Sequence, residues 1–130
     1  MVQVLLVDDN SVQAATRKAV LGRIVPQIAV VTSAREALDI VAEQKTAETL
    51  ELVITDHWMP GMNGTEFVRS LRQKFPELPV LVLSGQSDVE QEYQGLEVVF
   101  RMKPIAPEEL IRLTRELTQP SHQESLVGCQ

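Results

Sequence analysis

Short apolar runs alternate with longer amphipathic stretches along this chain. The runs at 2–7, 28–32, 50–55, 79–83 and 98–102 are rich in Val, Ile and Leu and show no strict alternation. Such runs suit strands covered on both faces. Between them, apolar positions recur at helical spacing near 11–21, 34–44, 65–75, 87–93 and 107–117. Ser33 with Glu36 has the capping-box pattern ahead of the second helix. Pro107 with Glu108 and Glu109 suits the first turn of the last. Five βα units follow in order. Short links and right-handed crossovers then predict an α/β fold, a parallel sheet with helices on both faces. Residues 1–119 are expected to form one domain. The segment 120–130, PSHQESLVGCQ, has no helical or strand period and is expected to be a flexible tail or linker.

Composition narrows the picture. At 130 residues and 44% hydrophobic, the chain can bury a core as one domain without staples. A net charge of -6 and the lack of a Lys/Arg cluster argue against direct contact with nucleic acid. The first apolar run has no basic region ahead of it and is interrupted by acids, so neither a signal peptide nor a membrane span is expected, and the predicted location is cytoplasmic. Cys129 is the single cysteine, and one thiol supports neither a disulfide framework nor a cysteine metal site.

The candidate chemistry lies at the strand ends. An open doubly wound sheet places its ligand crevice beyond the carboxyl ends of its strands. The first strand runs into Asp8 and Asp9, the third into Asp56, the fourth into Ser84 and the fifth into Lys103. Each has an ordinary alternative. Asp8, Asp9 and Asn10 could cap a helix, Asp56 could open the turn HWMPGMNG, Ser84 with Gly85 could be a plain turn, and Lys103 a solvated lysine. All of these falling at one sheet edge together is harder to explain that way.

Three carboxylates in one crevice repel one another, so they take up protons or hold a cation. A hard divalent ion fits oxygen donors, with magnesium the expected one and manganese an alternative. His57 adjoins Asp56 but has no partner in a zinc pattern, and it is read as a loop residue. A carboxylate at such a site can also be a nucleophile toward phosphorus, with Lys103, a metal and Ser84 stabilising the phosphoryl oxygens.

At this point the residues resemble bacterial response-regulator receiver domains of two-component signalling systems, along roughly residues 2–118. VLLVDDN is similar to the family's first strand with its acidic pair, and VTSAREAL to its second helix entry. VITDHWMPGMNGTEF resembles its phosphoacceptor loop, VLVLSG its fourth strand with the switch hydroxyl, and FRMKP its fifth strand with lysine and proline. The resemblance implies a CheY-like, flavodoxin-like doubly wound sheet of strand order 2-1-3-4-5. It implies Asp56 as phosphoacceptor, Asp8, Asp9 and the Trp58 backbone carbonyl as further magnesium ligands, and Lys103 and Ser84 as phosphoryl contacts. Ser84 and Phe100 would form the switch, with Phe100 changing rotamer. Met59, Pro60 and Gly64 would shape the turn, Asn63-Gly64 suiting positive φ, and the bond before Pro104 would be cis. The implied partners are a histidine kinase or histidine phosphotransfer protein as donor and a downstream protein target, in a bacterial phosphorelay.

Lys103 follows Ser84 by nineteen positions, fewer than this family leads one to expect, and DVEQEYQGLEVVF lacks the usual Gly-Ala turn. The helix at 87–93 is therefore expected to be short or irregular. Ala106 stands where a capping side chain is common. Two other functions stay in view: a receiver-shaped binding module that is never phosphorylated, and an aspartate-nucleophile phosphatase resembling the haloacid dehalogenase family. The second usually carries another Asp two positions after its nucleophile, where this chain has Trp58.

Overall fold

The computed structural model describes residues 2–118. Strands β1 (Val4–Val7), β2 (Ile28–Val31), β3 (Leu52–Asp56), β4 (Val80–Ser84) and β5 (Val99–Met102) pair in parallel as one sheet, in the order β2-β1-β3-β4-β5. The winding reverses between β1 and β3, and this opens the crevice that holds the site. Register sets Val7 against both Val31 and Thr55, so β1, β2 and β3 end level at that crevice.

Successive side chains point to opposite faces, which explains why the central strands are apolar throughout. Leu5, Val7, Val53, Val80 and Val82 pack on one side with Phe67, Val68 and Leu71 of α4 (Gly64–Lys74) and Ala34, Ala37 and Val41 of α2 (Ala34–Val41). Val4, Leu6, Leu52, Ile54, Leu81 and Leu83 pack on the other with Leu21 of α1 (Ser11–Leu21) and Leu110 and Leu113 of α5 (Pro107–Thr118).

Three local features depart from the sequence expectation. The predicted helix 34–44 stops at Val41, and a separate helix α3 (Gln44–Thr49) follows after Glu43 takes an extended conformation. At the far end of α3, the Thr49 hydroxyl donates to the Val2 carbonyl and accepts from the Val2 N–H, tying α3 to the residues just before β1. The capping box expected at Ser33 is half made. Ser33 accepts from the Glu36 N–H, but the Glu36 carboxylate accepts instead from the Thr32 hydroxyl. A complete box stands at Asn63 and Glu66, at the head of α4.

Segment 87–93 is a 3₁₀ helix, Ser87–Tyr93, in keeping with the compressed spacing before Lys103. It carries Val89 and Tyr93 into the core. The Lys103–Pro104 bond is cis. The predicted tail 120–130, with Cys129, lies outside the described residues.

The positive φ expected at Asn63-Gly64 falls instead at Gly61, with φ 84°. Gly64 is needed for a different reason: a Cβ there would stand 2.9 Å from the His57 Cα and 3.0 Å from the Asp56 carbonyl oxygen, and would collide with the Tyr93 hydroxyl. Two of those neighbours are backbone and cannot give way. Gly64→Ala is expected to destabilise the fold by about 2–3 kcal/mol through overpacking, outweighing the ~1 kcal/mol of helix propensity that alanine adds. Denaturant unfolding checks this, and a gain in stability would show that the loop retreats freely.

Candidate functional site

Each strand end delivers what its sequence predicts to the same edge. Asp8 follows β1 directly, Asp56 and Ser84 are the last residues of β3 and β4, and Lys103 follows β5. Asp8 and Asp56 are buried, whereas Asp9 is exposed. One carboxylate oxygen from each of the three lies within 4.8 Å of the others. Lys103 Nζ stands 2.9 Å from Asp56 Oδ1. The loop after β3 is anchored by the His57 N–H donating to Leu83 O and by the Gly64 N–H donating to His57 O, at 3.0 and 2.7 Å.

The helix-capping alternative for the acidic run is partly realised. Asn10 is the N-cap of α1, its side chain accepting from the Val12 and Gln13 N–H groups. Asp8 Oδ1 accepts from the Asn10 N–H at 2.8 Å. That leaves Asp8 Oδ2 facing the crevice, where it meets Arg17.

Arg17 is the residue that sequence reasoning missed. It projects from the middle of α1, its side chain only 11% exposed, and Nη1 lies 2.8 Å from Asp8 Oδ2 and 3.2 Å from Asp56 Oδ1. Nothing in its local sequence marks it. Gln13, one turn earlier, takes a 3.4 Å hydrogen bond from Lys103 Nζ, so α1 and the residue after β5 meet beside the acceptor.

Burial raises the Asp8 carboxyl to about 7, and the adjoining Asp56 carboxylate pushes the same way; the Asn10 N–H and Arg17 oppose them. An acid whose folded pKa is raised contributes stability fully below its unfolded value of 3.8, and that contribution is lost as pH rises through about 7. In a chelator, the thermal midpoint should therefore decrease as pH rises from about 4 to about 7. Asp8→Asn should flatten that fall, and an unchanged slope in the variant would place the titration elsewhere.

Around this cluster, only His57 departs from its expected place. Ser84 directs its hydroxyl to its own turn, Oγ accepting from the Gln86 N–H and donating to Gln86 O, both at 3.0 Å. Trp58 turns outward and is 78% exposed. His57, read as a loop residue, is buried, and its Nδ1 lies 2.6 Å from the Tyr93 hydroxyl. Burial pushes the Tyr93 phenol up to about 12, so it keeps its proton at neutral pH. Phe100 is buried, its ring centroid 5.9 Å from that of Tyr93.

Hard oxygen donors at this spacing, with no sulfur or imidazole among them, fit magnesium or manganese. Three carboxylates close together, two of them buried, give a divalent cation a reason to bind.

The model for the response regulator receiver domain matches residues 4–115. The chain belongs to that family. Among curated relatives, the receiver is 30% identical to the two-component response regulator ORR5 of Oryza sativa over 115 residues, covering 85% of this chain and 84% of that protein. It is 29% identical to ORR7 of the same species over 121 residues, covering 89% of this chain and 56% of ORR7. It spans only 18% of the Arabidopsis thaliana protein ARR21. Among solved structures, chemotaxis response regulator CheY4 of Vibrio cholerae superposes with a TM-score of 0.79 at 25% identity, over 90% of this chain and 98% of that one. A CheY-like receiver domain protein from Methanospirillum hungatei shares the fold at TM-score 0.83 and 20% identity, covering 95% and 98%.

The fold is thus the flavodoxin-like one with strand order 2-1-3-4-5. Membership makes the receiver a signalling module rather than a conventional enzyme, which displaces the phosphatase alternative. The expected bacterial source has no support, since the plant proteins match as well. Among the described residues, no helix is long and apolar enough to cross a membrane.

Proposed function

We propose that this receiver, residues 1–119 with 120–130 as tail or linker, takes a phosphoryl group on Asp56 from the phosphohistidine of a histidine kinase or histidine phosphotransfer protein. The observation that carries this is the ammonium of Lys103 at 2.9 Å from a carboxylate gathered with two others at the sheet edge. An Asp56 oxygen attacks phosphorus in line with the imidazole nitrogen. The O–P bond forms as the P–N bond breaks, and the departing imidazole takes up a proton. Lys103 lies where it can pair with the developing charge on the equatorial oxygens.

Asp8, Asp9, Asp56 and the Trp58 backbone carbonyl would hold magnesium, which supplies further positive charge to those oxygens. Ser84 would leave its Gln86 turn to donate to the new phosphoryl oxygens, and Phe100 would respond. A bias of about 1.4 kcal/mol shifts a two-state ratio tenfold, so a few such contacts suffice. A downstream protein would read the altered face around the 3₁₀ segment and β5. The cytoplasm is the compartment where such donors act.

Incubation with phosphoramidate and magnesium should add one phosphoryl mass to the intact chain. Beryllofluoride with magnesium should change the fluorescence of Trp58, the single tryptophan, which stands two residues from the acceptor. No added mass would refute the acceptor, and an unchanged spectrum would refute the two-state switch.

A further inference from the structure

Arg17 holds the place that a cation would need. Its Nη1 alone touches both buried carboxylates, 2.8 Å from Asp8 Oδ2 and 3.2 Å from Asp56 Oδ1. A cation that already pairs with both carboxylates takes up the attraction they would otherwise offer a divalent ion. With its side chain 11% exposed, the guanidinium is poorly screened by water. An incoming ion would have to take both oxygens from it.

We propose that Arg17 is a resident counter-ion that competes with the divalent cation for Asp8 and Asp56, and so sets the magnesium concentration at which the site loads. The inference rests on the acceptor reading above only in taking magnesium as the ion. In the unloaded state, Arg17 neutralises the acidic pair and holds α1 against the sheet edge. In the loaded state, it withdraws along the groove between α1 and α5. Pro104, Ile105, Pro107 and Leu110 line that groove with Val20, and they offer apolar cover to its methylene stem while the charged head reaches water. Lys103 remains on Asp56, so the exchange leaves the acceptor's own counter-charge in place.

The test is calorimetric titration of the unphosphorylated chain with magnesium chloride, comparing wild type, Arg17→Met, Arg17→Lys and Lys18→Met. Lys18 is the exposed neighbour, and its replacement changes net charge without touching the acids. Losing two charge-assisted hydrogen bonds that hold the oxygens should tighten magnesium binding by about ten- to a hundredfold in Arg17→Met. Arg17→Lys should fall between that variant and wild type, and Lys18→Met should stay within about twofold of wild type. If Arg17→Met binds magnesium no more tightly than Lys18→Met, the competition is wrong. Should Arg17→Met not fold without metal, Arg17→Lys decides: affinity equal to or weaker than wild type overturns the proposal.

Phosphoramidate labelling at saturating magnesium separates this from the acceptor reading. Labelling with unchanged magnesium affinity in Arg17→Met removes the competition and leaves the acceptor. Tighter magnesium with no labelling of any variant does the reverse.

Discussion

Asp56→Ala will not accept a phosphoryl group: its labelling by phosphoramidate in magnesium is expected to fall below about one hundredth of wild type. The reason is geometric. Asp56 closes β3, it is buried, and its Oδ1 is the carboxylate oxygen that meets both Lys103 and Arg17. Asp8 cannot substitute, because one of its oxygens is held by the Asn10 N–H and the other by Arg17. Asp9 is exposed and, among the described residues, pairs with neither Lys103 nor Arg17, the cations that would stabilise the transferring group. Intact mass with time checks the loss. Labelling of the variant at the wild-type rate would move the acceptor elsewhere.

Lys103→Ala is expected to slow labelling by about a hundredfold or more while leaving the fold intact. Removing one preorganised charge or donor from where charge develops typically costs about 10²–10³ in rate. Lys103 has a partly exposed side chain, and its backbone N–H still donates to Ser84 O at 2.7 Å, so β5 keeps its anchor when the ammonium is gone. A rate-against-magnesium series distinguishes this role from metal binding: the deficit should persist at saturating metal. Recovery of the wild-type rate at high magnesium would show that Lys103 acts only by balancing charge in the resting site.

The fold was largely legible because the central strands are runs of Val, Leu and Ile. β1, β3 and β4 are buried on both faces and leave no room for alternation, so their existence and order are plain even where their ends shift by a residue or two. The helix at 34–44 was harder. It divides at Ala42 and Glu43, and the second piece is held by Thr49 reaching the backbone of Val2, a contact between residues far apart in sequence. Gly64 was recognised as a turn residue, but its role comes from the approach of His57, Asp56 and Tyr93, which no local pattern reveals.

The site divides along the same line. Asp8, Asp9, Asp56, Ser84 and Lys103 were legible because strand ends in a parallel sheet converge by topology alone. Arg17 was not, since an arginine inside an amphipathic helix looks like a solvated charge until its length and rotamer carry it over the sheet edge. His57 escaped for a related reason. Its hydrogen bond to Tyr93 forms because the shortened connection before β5 folds as a 3₁₀ turn, bringing a phenol 36 positions away beside the acceptor loop. The same turn sets Tyr93 against Phe100, so the region that the sequence marked as compressed is packed directly onto the acceptor's neighbour.

Borohydride reduction of the phosphoramidate-treated chain, followed by peptide sequencing in a mass spectrometer, locates the phosphorylated residue itself. An acyl phosphate is reduced to an alcohol, so the modified aspartate becomes homoserine and is located by its mass. Homoserine is expected at position 56 alone, and only when magnesium was present. Homoserine at position 8 or 9, or none at all in a chain that gained phosphoryl mass, would contradict it.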